Sequence, residues 1–261
     1  MTEIAFIESV LTDVASYVRE RYLDRTHLEV STKTEANDLL TEVDLETQRR
    51  VVARINAQFP GDIVVAEEAN LNVLPPDTHA RTWFLDPIDG TQNFVRGIFP
   101  LFGVSLAFAQ QGIVRSGGVM LPMNNDLFLG ERGAGAFRSG KRLHVANVSS
   151  VALARADIDF SVPSHRDETL QRATRLIVKT GQIRCFCSAV VAMCSIASGD
   201  ADIFFNVGLS PWDYAASQVI LEEAGGKTSR LDGSPLHFFD KRRGVLATNG
   251  HIHAETLSLL D

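Results

Sequence analysis

A chain of 261 residues with 45% apolar and 22% charged residues has ordinary proportions for a soluble globular protein, with ample sequence for the core of one large domain or two fused lobes. The formal charge of −7 argues against a nucleic-acid backbone as main partner, although basic clusters stand at Arg49-Arg50 and Lys241-Arg242-Arg243; an acidic chain can still take phosphate esters if metal ions supply positive charge. Three cysteines, an odd number, suit a reducing cytosol better than a disulfide framework, no apolar stretch approaches the roughly 20 residues of a membrane span, and the N-terminus opens on acids (Glu3, Glu8) without a basic leader, so a cytoplasmic protein without membrane attachment is expected. Cys185 and Cys187 are spaced C-x-C, but no matching Cys or His cluster follows in the sequence to support a zinc site.

In chain order, Ile4, Ile7, Val10, Leu11, Val14 and Val18 recur at helical spacing and predict an amphipathic helix over 3–22. A second helix is predicted after Thr41, with Val43, Val51, Val52 and Ile55 along one side. A strand over 62–65 closes at Glu67-Glu68, and a loop rich in Asn, Pro and Asp (70–79) leads to a short buried strand at Trp83-Phe84-Leu85. From Leu101 to about Ala146, glycines punctuate apolar runs in the manner of an antiparallel meander. After Val148 strands and helices alternate: strand 156–160, helix 166–179, strand 183–186, helix 188–198, strand 202–206, and a helix over 212–224 ending at Gly225-Gly226. A strand over 244–248 and a last helix from about His251 complete the chain. The first half reads as α+β and the second as α/β. Without a repeat, low-complexity tract or long linker, a single domain of two lobes sharing one core is expected, at about 1–147 and 148–261.

The chemistry concentrates between Trp83 and Phe94. The apolar run delivers Asp86 and Asp89, then Gly90 and Thr91, where a helix could begin. Pro87 keeps Asp86 out of helical geometry. No Lys or Arg lies between Thr82 and Phe94. Two carboxylates at the end of a buried strand repel each other and lose hydration, so the pair calls for a cation, and oxygen ligands favour a hard divalent one. The Gly90-Thr91 amides could hold an anion. Other acids have blander readings: Thr41 to Asp44 and Ser210 to Asp213 both fit an Asp variant of the capping box, with Pro211 at a favoured first helical position. Glu67-Glu68 could be a solvated strand end. Haloacid-dehalogenase-type phosphatases carry Asp-x-Asp-Gly-Thr after an apolar strand, but here two residues separate the acids, which rejects that reading.

The segment Trp83 to Phe94 closely resembles the first signature of the inositol monophosphatase family, W-x-x-D-P-I/L-D-G-T-x-N-F. Its second signature, W-D-x-A with a following E-A-G-G, is matched by Trp212-Asp213-Tyr214-Ala215 and Glu223-Ala224-Gly225-Gly226. Lys33, Asp38 to Thr41 and Asp44 look like the family's K…D-L-V-T-x-x-D element, and Ala66-Glu67-Glu68 stands where the family has G-E-E. The resemblance implies a layered αβαβα sandwich of the inositol monophosphatase/fructose-bisphosphatase type. It implies Glu67, Asp86, Asp89 and the Ile88 carbonyl as metal ligands, with Asp213 completing a second site, for about two or three Mg²⁺ ions. Thr91, bonded to Asp44 and assisted by Glu67, would activate water for direct attack on phosphorus. Gly90 and Thr91 would hold the phosphate, and Cys187, Ser188, Ala189 and Asn206 would face the substrate's organic part.

Several positions depart from the family pattern. Ala66 replaces a glycine, Cys187 stands where G-S/T-A-A has its glycine, and Asn206 sits where animal members carry a Glu that binds an inositol hydroxyl. Asn93 to Gly97 and Ala247 to His251 resemble the histidinol-phosphatase branch. His165 and Arg166 could reach a substrate's polar end. His251 and His253 are expected to face solvent, and the fifteen Phe residues to fill the core and a subunit contact. The expected function is Mg²⁺-dependent, Li⁺-sensitive hydrolysis of a small phosphorylated metabolite by a homodimer. Histidinol phosphate or another sugar or nucleotide phosphate is the alternative substrate. A transcription antitermination factor binding RNA polymerase is the alternative of another class.

Overall fold

The computed structural model describes residues 1–33, 38–68, 70–74, 79–97, 99–238 and 243–260. Lys241 and Arg242 of the basic cluster, and part of the loop over 70–79, lie outside the described residues. Helix α1 (Glu3–Leu23) is started by Thr2, whose hydroxyl accepts from the Ala5 N–H, and it buries Phe6, Ile7, Val10, Leu11, Val14 and Val18. Two three-residue strands, β1 (Val30–Thr32) and β2 (Leu39–Thr41), pair antiparallel ahead of α2 (Glu42–Gln58). The capping box between Thr41 and Asp44 is formed. Strand β3 (Ile63–Ala66) runs parallel to β4 (Thr82–Asp89), which continues past the predicted Trp83 run through both acids. The β4 ladder shifts register between Asp86 and Asp89, around Pro87, which has no N–H to donate.

The short α3 (Thr91–Arg96) lies between Gly90 and Gly97, both left-handed. The meander follows as β5 (Gly103–Gln110), β6 (Ile113–Leu121), β7 (Asp126–Glu131), β8 (Gly135–Arg138) and β9 (Lys141–Arg142). Together β3 to β9 make a seven-stranded sheet in sequential order. The rest of the chain supplies β10 (Arg155–Ile158), α4 (Arg166–Lys179), β11 (Gln182–Arg184), α5 (Ala189–Ala197), β12 (Ile203–Leu209), α6 (Pro211–Glu223), β13 (Lys227–Ser229), β14 (Arg243–Thr248) and α7 (His253–Leu257). The second sheet has the order β11-β10-β12-β14-β13, with β10 parallel to both its neighbours and the β14 pairs antiparallel.

Strand alternation builds the layers. Trp83 and Leu85 face one side of the first sheet and pack with Phe6, Val10, Val51 and Ile55 of α1 and α2. Phe84, between them, faces the other side and joins Val190, Met193, Tyr214 and Ile220 of α5 and α6, together with Phe204 and Val245 of the second sheet. Ile203, Phe205 and Leu246 point outward from that sheet onto Leu176 of α4 and the C-terminal residues Ile252 and Leu259. The order is therefore α, β, α, β, α, the expected layered sandwich. Helix α6 approaches the first sheet closely at two glycines: a Cβ on Gly117 would lie 2.7 Å from Ala216 Cα, and one on Gly130 would lie 2.7 Å from Ile220 Cα. Among the described residues, no helix is long and apolar enough to cross a membrane.

One surface expectation is corrected. His251 is exposed, but His253 is buried. Its Nδ1 lies 2.9 Å from Thr248 Oγ1 and its Nε2 2.9 Å from Ser229 Oγ. These two hydroxyls, on β14 and β13, hold the ring against the sheet, and burial pushes its pKa down to about 4.

Candidate active site

The break in β4 turns its acids toward a cavity of about 470 Å³ between the layers. Asp86 is buried, and its Oδ1 accepts from the Ile88 N–H at 3.0 Å. Asp89 is tied to the start of α5, accepting from the Ser188 hydroxyl and from the N–H groups of Ala189 (3.4 Å) and Val190 (3.0 Å). Ser188 and Ala189, expected to face the substrate, line the cavity and also tie Asp89 of the first sheet to α5. At the end of β3, Lys33 Nζ pairs with Glu67 at 2.6 Å and with Glu68, whose backbone is held by Gln48.

Asp44 does two jobs. Its Oδ2 accepts from the Thr41 N–H at 2.9 Å, as a capping residue should, while Oδ1 lies 3.3 Å from Thr91 Oγ1. The Thr91 hydroxyl also lies 2.9 Å from the Ile88 carbonyl. Asp213 likewise accepts from the Ser210 N–H at 2.7 Å at the first turn of α6. The bland capping reading and the site reading therefore coincide in the same side chains.

Glu67, Asp86, Ile88, Asp89, Gly90, Thr91, Cys187, Ser188, Ala189, Asn206 and Asp213 all line this one cavity; Asp44 sits beneath Thr91, behind its wall. His165 lines it as well, whereas the Arg166 guanidinium turns back to the Phe160 carbonyl. Asn206 is already engaged: its Nδ2 donates to Asp159 Oδ2 at 2.8 Å and its Oδ1 accepts from the Gly208 N–H at 2.8 Å. Sequence reasoning missed Asp159. The available signal was its position one residue beyond a buried strand, the same relation to β10 that acids have to strand ends elsewhere in this cleft.

Electrostatics show what the cavity needs. Among the described residues, seven carboxylates and one lysine line it. Burial raises Asp86 well above the ordinary carboxylate range, and the charges of Glu67, Asp89 and Asp213 add to the shift. Asp89 is raised to about 7 by burial, despite the hydrogen bonds it accepts. Asp44 is raised to about 6 by burial, partly offset by Thr41, and Glu68 to about 7 by burial and the Glu67 charge. Burial opposes the charge on Lys33, but Glu67 and Glu68 outweigh it and raise its pKa. One ammonium cannot neutralise this set. An all-oxygen donor group of Glu67, Asp86, Asp89, Asp213 and the Ile88 carbonyl can hold hard divalent cations.

A pH dependence follows. Asp44, Glu68 and Asp89, with Asp157 (raised to about 8 by burial), keep protons in the fold that the unfolded chain releases near pH 4. Their stabilising contribution is fullest below that unfolded value and is lost as pH rises through 6 to 8. His253 acts oppositely, costing stability as pH falls from about 6.5 toward 4, but it is one group against several. In EDTA the protein should melt at a lower temperature at pH 8 than at pH 5.5, and excess Mg²⁺ should remove most of that difference. Calorimetry showing a metal-free Tm that climbs over this range would contradict the account.

An αβαβα sandwich with an acidic, cation-demanding cleft between its two sheets defines a class of layered α/β proteins. Within it the chain belongs to the inositol monophosphatase family, which it matches over residues 1–261. It is 34% identical over 232 residues to "Fructose-1,6-bisphosphatase/inositol-1-monophosphatase" of Thermotoga maritima, covering 89% of this chain and 86% of that one. It is also 34% identical over 230 residues to "Nus factor SuhB" of Vibrio cholerae, covering 85% of each. The solved structure of an IMPase of Thermotoga maritima superposes with a TM-score of 0.87 at 32% identity, covering 99% of this chain and 96% of that one.

Proposed function

We propose that this protein is a Mg²⁺-dependent phosphomonoesterase that hydrolyses a small phosphorylated polyol by direct attack of water on phosphorus. The observation that carries the reading is the convergence of Glu67, Asp86, Asp89 and Asp213 on one cavity beside Gly90 and Thr91. Those carboxylates and the Ile88 carbonyl would hold the cations. When bound, Mg²⁺ supplies positive charge to the phosphoryl oxygens and lowers the pKa of water. Thr91 orients the attacking water through its hydroxyl and passes proton density to Asp44, whose Oδ1 lies 3.3 Å from Thr91 Oγ1; Glu67 assists. The first-turn N–H groups of α3, which no side chain caps at Gly90, hold phosphoryl oxygens. The organic part faces Cys187, Asn206 and His165. Here the acid that animal members carry at the Asn206 position is absent and Asp159, which Asn206 orients, supplies the carboxylate instead.

Inhibition by Li⁺, a homodimer and a cytoplasmic location belong to the same reading. The test is a panel of monoesters, including inositol 1-phosphate, histidinol phosphate and a sugar bisphosphate, assayed with Mg²⁺, with and without Li⁺, in ¹⁸O-labelled water. Label in the released phosphate and strict Mg²⁺ dependence are expected; a panel without turnover would reject the proposal. A regulatory role in transcription is favoured by the likeness to "Nus factor SuhB". A complete carboxylate set, costly to keep in a protein that only binds, speaks for the enzyme. Co-purification with RNA polymerase alongside an inactive panel would reverse that order.

A further inference from the structure

Beside the carboxylate cluster lies a second group of potential ligands with different chemistry. Strands β10 and β11 are parallel neighbours, with Asp157 opposite Arg184, so the residues just beyond their carboxyl ends emerge side by side. That topology brings Asp159 to Cys185 and Cys187. The two Sγ atoms lie 3.6 Å apart, and one carboxylate oxygen and both sulfurs lie within 4.8 Å of one another. Two thiolates sharing a tetrahedral zinc at about 2.3 Å each stand roughly 3.8 Å apart, so the sulfurs are spaced for an ion between them.

The carboxylate is held in place. Asp159 Oδ1 accepts from the Ser161 N–H at 2.7 Å and Oδ2 from Asn206 Nδ2 at 2.8 Å, the kind of outer support that orients a metal ligand. Cys187 is a non-glycine residue at φ +55°, a left-handed conformation that costs about 1 kcal/mol or more and that a glycine would adopt freely. The chain keeps a sulfur there against that cost. The two thiols also share a hydrogen bond in which either sulfur can donate.

We propose that Asp159, Cys185 and Cys187 form a site for a thiophilic d¹⁰ cation of the Zn²⁺ type, with its fourth position open to the cleft. Soft sulfur ligands separate it from the hard oxygen cluster of Asp86 and Asp89, which suits Mg²⁺. Asp159 and Cys187 line the main cavity, so an ion here stands at its organic end and competes with substrate. That consequence rests on the phosphatase reading; ion binding itself does not.

The reduced full-length protein should be titrated with Cd²⁺ and followed by the ultraviolet thiolate-to-cadmium charge-transfer absorbance, which carboxylates cannot produce. The expected result is a band saturating at about one ion per chain. It should be lost in Cys185→Ser, kept in Cys194→Ser, and shifted to at least about 10-fold weaker binding in Asp159→Asn. Cys185 is exposed, so its serine variant is not expected to disturb the fold, and circular dichroism checks this. Absence of the band in the reduced wild type, or its survival in Cys185→Ser, would overturn the site. Closure of the two thiols to a disulfide under mild oxidation, in protein that gives no band, would assign the pair to redox chemistry instead.

Discussion

Asp86→Asn is expected to cut kcat/KM by about 100- to 1000-fold while raising the Tm of the metal-free protein. The two effects share one origin. Asp86 is fully enclosed, and Glu67, Asp89 and Asp213 all press on its charge. Without a cation, an ionised carboxylate there costs stability, and a protonated one must draw its proton from near-neutral solvent. The amide keeps the shape and still accepts from the Ile88 N–H through its oxygen. Its NH₂ points into a group of carboxylates able to accept. The repulsion therefore disappears at little packing cost, and a gain of even 1 kcal/mol appears as about 2–4 °C in a chain of this size. With the charge goes one ligand of the proposed cation site. Parallel assays in EDTA and in Mg²⁺ decide the matter. Near-normal Mg²⁺-dependent turnover would remove Asp86 from the metal site, and a lower metal-free Tm would show that the fold relies on its charge.

Local chemistry made much of this molecule readable before its structure. The α1 repeat at Phe6, Val10, Val14 and Val18 needs no tertiary information, because a helix buries whatever recurs at its own period. Both capping boxes, at Thr41-Asp44 and Ser210-Asp213, were visible as short patterns. The missing parts depend on partners. Strands β1 and β2 are three residues each, β1 exposed throughout and β2 fully buried only at Thr41, and β13 owes its existence to β14. Strand β4 reads as ending at Leu85, since an acid and a proline ordinarily stop a strand; it continues because β5 pairs with Asp86 and again with Asp89 beyond the irregular step. His253 is buried because its two ring nitrogens meet Thr248 of β14 and Ser229 of β13, partners that no local pattern reveals. Asp159 meets Cys185 only through the parallel pairing of β10 with β11, a contact that no sequence interval records.

Gly117→Ala tests the opposite end of the same logic, where stability falls and chemistry survives. A Cβ at 117 would stand 2.7 Å from Ala216 Cα, 2.8 Å from the Ala216 carbonyl oxygen and 2.9 Å from Val219 Cγ1. The first two are backbone atoms of α6, so no rotamer change can relieve the overlap. The helix itself must retreat by several tenths of an ångström from β6. That loosens contacts with Phe84, Val119 and Phe128, which share one core with Tyr214, Val219 and Ile220. Overpacking of this kind costs about 1–3 kcal/mol, so a fall in Tm of at least about 3 °C is expected. The first turn of α6 carries Asp213, anchored through Ser210, while Asp86 and Asp89 stay fixed on β4. Moving the helix opens the gap between the two halves of the proposed cation site without altering any ligand. The Mg²⁺ concentration for half-maximal activity should therefore rise severalfold, with kcat at saturating Mg²⁺ falling much less than in Asp86→Asn. Magnesium titrations of the variant, beside its melting curve, separate the outcomes: an unchanged Tm would refute the close approach of α6, and an unchanged magnesium requirement with a lowered Tm would show that Asp213 does not set cation affinity.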